Sequence, residues 1–590
     1  MANRINIQGL EGLKLYLSHI TYRYEMENLC RLFFPRESID TQLGDCPRAP
    51  QGLYAQAALT EDGALARCCA GDGLGRWESS LAVDWTLGER EAERCLGVSL
   101  YQALCAMTGL APQWGILTGV RPVKLFETLS AELGDGDSLL GDARAADYMA
   151  GRLLVSRDKI ELCRLSAEAE RRCIGNSVSQ PRSADKTAVE TKSTQALPQE
   201  RAHLENGCLE EAVSQDASAQ GHSSKKALPG DAVSAKALSE YVCRAGIFPR
   251  DYSLYVSIPF CPTRCAYCSF VSHSIDRAGK LVPDYLDCLE RELEAVAALA
   301  SERSLRLKTV YIGGGTPTTL SAEQLNRLIA VIGRRFELDD IEEFTVEAGR
   351  PDTITREKLL ALRRGGATRL AINPQTLDDR VLEAIGRRHT SAQVLAAFAL
   401  ARECGFDNIN MDLIAGLPLD SLAGFERTLE GVLSLRPEGV TVHTLSMKRS
   451  ASMTARPGSL PAGVAPRGDQ AAGLSGEEVA RMLDVASRHL FSAGYAPYYL
   501  YRQSKMLGNL ENVGWSLPGR EGYYNIYMMN ELHTVLAAGA GAVTRLKDPR
   551  TGDIERVFNF KYPYEYIDRF DQMLGRKEAI HSFYDRHQPQ

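Results

Sequence analysis

Apolar and polar positions follow different rhythms in different parts of this chain. From about residue 250 to 450, short apolar runs recur at 254–260, 309–313, 343–348, 369–374, 409–414 and 440–445, each of strand length. The stretches between them, notably 285–300, 322–336, 391–403 and 422–435, carry apolar residues at helical spacing. Six strands alternating with helices predict parallel βα units, because parallel strands are joined through long crossovers. Six units rather than eight predict an α/β fold built on an open, partial (β/α)6 barrel, with reactive groups gathered where the strands end.

The flanking regions are less regular. Residues 1–172 mix short apolar runs with charge, 81–85 having strand character and 89–107 helical spacing, which predicts an N-terminal α+β domain. Within it, 115–124 sets Gly115 and Gly119 around a turn beside Arg121 and Lys124, two cations that read as a solvated or structural pair. In 173–240 Ser, Ala, Gln, Glu and Lys dominate and the apolar residues keep no period, so a disordered insert is expected. The barrel then takes 241–450, and a Pro- and Gly-rich loop at 451–474 leads to a mostly helical C-terminal domain, 475–590, of substrate-binding or lid character. Its cluster Tyr498, Tyr499, Tyr501 and Arg502 suits a flat acidic ligand and an aromatic core equally well.

Composition narrows the partners. A chain of 590 residues, 44% hydrophobic and 24% charged, divides into two or three globular domains. Its net charge of −7 argues against nucleic acid or an anionic membrane as partner, since both need a basic surface. No apolar run is long enough for an integral membrane segment and the first residues lack the apolar core of a signal peptide, so a cytoplasmic protein with fifteen reduced Cys is expected.

Three of those thiols carry the candidate chemistry. Cys261, Cys265 and Cys268 lie close enough to converge on one metal centre, and Pro262 keeps them off a regular helix, so a strand running into a ligating loop is predicted. Structural zinc wants four protein ligands, for which His273 is the nearby fourth candidate. A cubane iron–sulfur cluster on three thiolates instead leaves one iron open to an outside ligand. Other strand ends are also polar or glycine-rich: Gly313 to Gly315 and Thr316 after the second run, Glu347 closing the third, Gln375 after the fourth, Asp412 within the fifth and Ser446 after the sixth. The glycines let backbone approach a ligand closely, and their N–H groups can receive a carboxylate or sugar oxygen.

The pattern Cys-x3-Cys-x2-Cys with Tyr267 before the last Cys, entered through Tyr255, Ile258, Pro259 and Phe260, resembles the radical S-adenosylmethionine (SAM) enzymes. Among these it is similar to the oxygen-independent coproporphyrinogen III dehydrogenases, and most to their HemZ-type members. The resemblance implies a [4Fe-4S] cluster on Cys261, Cys265 and Cys268, and SAM held by Tyr255, Gly314, Gly315, Thr316, Glu347, Gln375, Arg387 and Asp412, with Ser446 a weaker match. It also implies coproporphyrinogen III or a heme-like tetrapyrrole as partner, oxidatively decarboxylated to protoporphyrinogen IX, and a one-electron reductant of flavodoxin or ferredoxin type. The sequence departs from those dehydrogenases at Ser269 and Phe270, at Ser257 and at Asn373-Pro374, closer at the first of these to the related heme chaperones. A heme-binding chaperone, or a radical enzyme acting on another substrate, is therefore the alternative.

Overall fold

The computed structural model describes residues 12–179, 250–268, 273–446 and 474–587, apart from 36, 48, 49, 73, 74, 120, 504 and 505. Five strands, β1 (Leu13–Leu17), β2 (Ile39–Leu43), β3 (Tyr54–Leu59), β4 (Leu65–Gly71) and β5 (Arg76–Ala82), form a first sheet in the order β2-β1-β3-β4-β5. The helix Glu89–Thr108 covers it, the helix Arg23–Phe33 packs alongside, and together they bury a core of their own around Leu15, Leu29, Phe33, Leu96 and Leu104.

The second sheet carries the site. Its parallel centre is β6 (Asp251–Ile258), which leads into the short β7 (Phe260–Cys261) and β8 (His273–Ser274), then β9 (Arg306–Gly314), β10 (Glu343–Glu347), β11 (Arg369–Ala371), β12 (Ile409–Ala415) and β13 (Gly439–Thr444). β6 and β9 to β13 are the six expected strands, hydrogen-bonded in the order β6-β9-β10-β11-β12-β13. Helices Val282–Glu302, Ala322–Arg335, Ser391–Glu403 and Leu422–Ser434 lie between them, close to the predicted spans. Their starts follow local chemistry: Ser321 and Thr390 each close a capping box, with Gln324 and Gln393 three residues on. The run at 369–374 yields only three strand residues, because Pro374 lacks an N–H and Gln375 turns to φ +67°.

The C-terminal segment adds strands to both ends of this sheet. β14 (Ala496–Arg502) and β15 (Glu511–Ser516) run antiparallel beyond β13, while β16 (Thr534–Ala538) pairs parallel with β6 and is followed by antiparallel β17 (Val543–Lys547) and β18 (Ile554–Phe558). Eleven strands result, and helical residues still outnumber strand residues in this C-terminal part. Tyr498 and Tyr499 of β14 are buried in a core with Ile526 and Tyr527, so the aromatic-core reading holds for both.

The first 172 residues divide between two cores. Helices Pro122–Leu133, Ser138–Leu153 and Arg157–Ser179 pack with the barrel rather than with the first sheet, burying Phe126, Leu129, Met149 and Cys163 in the barrel core. The junction is ionic as well as apolar. The Glu511 carboxylate accepts from Trp114 Nε1 at 2.7 Å and from Lys159 Nζ at 2.5 Å, and Arg502 lies over the Trp114 ring at 5.1 Å. Arg502 also donates to the carbonyls of Leu117 at 2.8 Å and Gly119 at 3.3 Å. Arg121 and Lys124, a few residues on, pair with Glu531 just ahead of β16. Residues 115–119 and 121–124 thus strap the β14 edge of the open barrel to its opposite end. The first residues of the expected insert, up to Ser179, finish a helix; the rest of it, most of the 451–474 loop, and Ser269 with Phe270 lie outside the described residues. No helix among the described residues is long and apolar enough to cross a membrane, and no disulfide joins the described cysteines.

Candidate active site

The cysteine loop is tied to the barrel rim on several sides. β7 continues β6 and pairs with β8, which fixes Cys261, and the Cys268 N–H donates to the Cys265 carbonyl at 3.1 Å. The Ala266 N–H donates to Ile385 O at 2.9 Å and the Thr263 hydroxyl to Gly386 O at 3.2 Å, anchoring the loop on the turn that leads to Arg387. Thr316 Oγ1 lies 3.5 Å from Cys261 Sγ, which brings the end of β9 against the first ligand candidate.

The glycine turn works differently from expectation. The N–H groups of Gly315 and Thr316 donate within the chain, to Ile258 O at 2.7 Å and Phe260 O at 2.8 Å, and that of Gly314 serves Glu347. What the turn offers a ligand is therefore bare backbone rather than an anion nest. Gly314 sits at φ +107°, a conformation L side chains rarely adopt, and a Cβ on Gly315 would lie 2.6 Å from Phe260 O and 3.0 Å from Cys261 Sγ.

Below the rim the barrel interior is aromatic and acidic. Tyr255 of β6 stacks on Tyr311 of β9 at 6.1 Å and on Tyr524 at 6.4 Å, and Tyr311 and Tyr524 stack at 4.3 Å. The Tyr311 hydroxyl donates to Glu347 at 2.6 Å. Burial pushes the Glu347 carboxyl up to about 7, the Asp412 charge adding to the rise while Tyr311 opposes it. Burial works the same way on Asp412, but hydrogen bonds and charge from His443, Thr441 and Asn410 outweigh it and hold that carboxyl below its usual range. Asn410 Nδ2 donates to it at 2.7 Å and His443 Nε2 lies 3.7 Å away. The barrel interior thus holds a carboxyl poised near neutrality within electrostatic range of one that stays ionised.

The far side of the rim is short of partners. Gln375, only 6% exposed, donates its N–H to Asp412 O at 2.9 Å, yet its Oε1 has no protein partner. Asn373 Oδ1 and Arg387 Nε are likewise buried and unpartnered, although Arg387 donates to Asn373 O at 2.5 Å and to the Tyr267 hydroxyl at 3.1 Å. Unsatisfied buried polar atoms are costly unless a ligand completes them. Ser446 stands after β13, bridged to Met506.

Two residues near the loop escaped the sequence reading. Arg350, 3% exposed, points Nη1 at Cys265 Sγ from 3.7 Å and also bonds the carbonyl and hydroxyl of Thr263. His389 is buried nearby, pushed down to about 3 by burial together with Arg387 and Arg350, so its ring is neutral. The only sequence signal for Arg350 is its place three residues after Glu347.

A family model described as the radical SAM superfamily matches residues 255–432. The oxygen-independent coproporphyrinogen-III oxidase-like protein HemZ of Bacillus subtilis (strain 168) is 42% identical over 328 residues, 55% of this chain and 63% of that protein. The heme chaperone HemW of Lactococcus lactis subsp. lactis is 32% identical over 334 residues, 56% of this chain and 79% of that one. The chain belongs to the radical SAM superfamily, in its coproporphyrinogen oxidase-like, HemZ-type branch. This radical SAM protein spans less than two thirds of the HemZ relative, and half of the heme chaperone HemW of Bacillus subtilis, to which it is 42% identical over 194 residues. The solved structure of coproporphyrinogen III oxidase (HemN) from Escherichia coli aligns at a TM-score of 0.44 and 24% identity over 57% of this chain and 73% of that one.

Radical SAM proteins use a [4Fe-4S] cluster and SAM. The residues present suit both. Three thiols share one anchored loop, which leaves one iron of a cubane without a protein thiolate. Beside it the bare glycine backbone, the unpartnered atoms of Gln375 and Arg387, and the Glu347 and Asp412 carboxylates supply complementary groups for a ligand with ammonium, carboxylate and ribose hydroxyls.

Proposed function

We propose that this radical SAM protein oxidatively decarboxylates the propionate side chains of coproporphyrinogen III, without oxygen, to give protoporphyrinogen IX. The observation that carries this reading is the row of stacked rings of Tyr255, Tyr311 and Tyr524 below the cysteine loop, an aromatic surface of the kind that suits a flat macrocycle close to the glycine rim. The name of the HemZ relative supports it. Cluster and SAM, when bound, supply a one-electron cleavage that generates a hydrogen-abstracting organic radical.

The chain's own part is positioning and shielding. Cys261, Cys265 and Cys268 would hold the cluster, Thr316 donating to the first of them and Arg350 to the second. Tyr255, Gly314, Gly315, Thr316, Glu347, Gln375, Arg387 and Asp412 would hold SAM, with Ser446 at the edge of that set. Glu347 accepts or releases a proton near neutral pH, while Asp412 supplies a fixed negative charge. Electrons would come from a small flavodoxin or ferredoxin type donor.

The test is anaerobic turnover of the reconstituted, reduced protein with SAM and coproporphyrinogen III, followed by chromatography. Protoporphyrinogen appearing together with 5'-deoxyadenosine and methionine is the expected result. An intact cluster that yields no vinyl product refutes the dehydrogenase reading. The resemblance to the HemW chaperones favours a second reading, stoichiometric heme binding without decarboxylation, which a heme titration of the same preparation measures directly.

A further inference from the structure

Five cations converge on one carboxylate at the end of the sheet opposite β14. Arg545 and Lys547 lie two residues apart on β17 and so share a face, and Arg556 stands directly across from Arg545 on β18. The strap brings Arg121 and Lys124 to the same place, where both pair with Glu531 Oε2, while Arg556 lies 3.8 Å from Oε1 of that carboxylate. Among the described residues these ion pairs share Glu531 alone, which leaves a surplus of four positive charges, five cations against one carboxylate.

Glu531 ties the strap down and Lys547 Nζ donates to Leu532 O at 3.0 Å, but one carboxylate offsets only part of this charge. Like charges directly opposite each other in an antiparallel pair destabilise a sheet. Lys547 is only 9% exposed, and burial, reinforced by Lys124 and opposed by Glu531, pushes it down to about 8. An anionic ligand would relieve both costs. The cluster also adjoins the tyrosines below the rim: Arg545 lies within electrostatic range of Tyr524, whose ring stacks at 4.3 Å on Tyr311, and the Tyr311 hydroxyl bonds Glu347. One row of aromatic rings therefore links the cations to the glycine rim.

We propose that Arg121, Lys124, Arg545, Lys547 and Arg556 bind the carboxylates of a polycarboxylate macrocycle whose ring faces the tyrosine row. The ligand class rests on the proposed function, which makes these carboxylates the propionates of the tetrapyrrole. Arginines grip carboxylates through paired, charge-assisted hydrogen bonds, and a substrate with several propionates needs several cations. The propionates held here anchor the ring and leave others to reach the rim.

Fluorescence quenching of the full-length reconstituted protein by coproporphyrin III, which carries four carboxylates, and by its tetramethyl ester tests the site in Arg545→Gln and Arg556→Gln. Each substitution should weaken binding of the tetra-acid at least tenfold and leave the ester's weak binding unchanged. Arg545→Gln should also raise the melting temperature of the ligand-free protein, because the like-charge opposition goes while the Arg556–Glu531 pair stays; a merely structural arginine would lower it. Tetra-acid binding equal to that of the unmutated protein overturns the site. If the unmutated protein binds neither porphyrin, the tetrapyrrole reading fails as a whole, which is a different result from intact binding in the variants. Should one variant lose its fold, the other carries the test.

Discussion

Gly315→Ala isolates what the glycine turn is for. Gly315 has no positive φ, so alanine meets no backbone penalty there and the effect is purely steric. Its Cβ would sit 2.6 Å from Phe260 O and 3.0 Å from both Cys261 Sγ and Ile258 O, where ordinary contact begins at 3.4 Å. Two of those three neighbours are backbone, held by the Gly315 and Thr316 N–H groups themselves, so the turn has to move by about 0.8 Å. Overpacking of this kind costs about 1–3 kcal/mol, which a barrel of this size tolerates. A shift approaching 1 Å between reacting groups costs about 100-fold in rate. The expected outcome is a folded protein whose 5'-deoxyadenosine formation from SAM falls about 100-fold, measured by chromatography under dithionite. Gly349→Ala is the control, since its Cβ meets only Asn373 Nδ2 at 3.5 Å. An alanine at 315 that leaves the rate unchanged refutes the reasoning, as does a Gly349 variant equally impaired.

Three further outcomes follow from contacts at the site and the junction. Cys265→Ala should abolish cluster binding while the circular dichroism of the barrel persists; iron content and a visible spectrum equal to those of the unmutated protein would rule this out. Arg350→Gln removes a buried cation 3.7 Å from Cys265 Sγ, so the cluster's midpoint potential should fall by about 60 mV, a tenfold change, in an EPR-monitored titration. Glu347 has its pKa raised on folding to about 7, so its contribution to stability is complete below the ordinary carboxyl range and fades as pH rises toward 7. Glu347→Gln should therefore stabilise the ligand-free protein at pH 8, by up to about 2 kcal/mol, and flatten that part of the pH profile in denaturant melts.

The barrel was legible because a parallel strand buried on both faces is written as a continuous apolar run, and the helices between such runs keep their own period. All six runs became strands, and the helix starts at 322 and 391 matched because Ser321 and Thr390 cap them. The strands at the sheet's two ends were not read. β16 and β17 are short, and what makes Thr534–Ala538 a strand is its pairing with β6, far away in sequence. Distance hid site chemistry in the same way. Arg121 and Lys124 read as a solvated or structural pair, but their partner Glu531, and the cations facing it from β17 and β18, come together only through the sheet. The roles of the glycine N–H groups were misjudged because a turn's sequence does not say where its donors point.

The pairing of β6 with β16 sets a timetable for biogenesis. The strand that leads into the cysteine loop has one neighbour in β9, about fifty residues on, and the other in β16, just beyond which Ala540 O accepts from Ser257 Oγ across 283 residues of chain. At roughly 5–20 residues per second, a ribosome needs about 15–60 s to deliver that second neighbour. Throughout that interval β6 exposes a bare hydrogen-bonding edge beside three reduced thiols. A nascent chain of this design stays open to oxidation and edge pairing until β16 arrives.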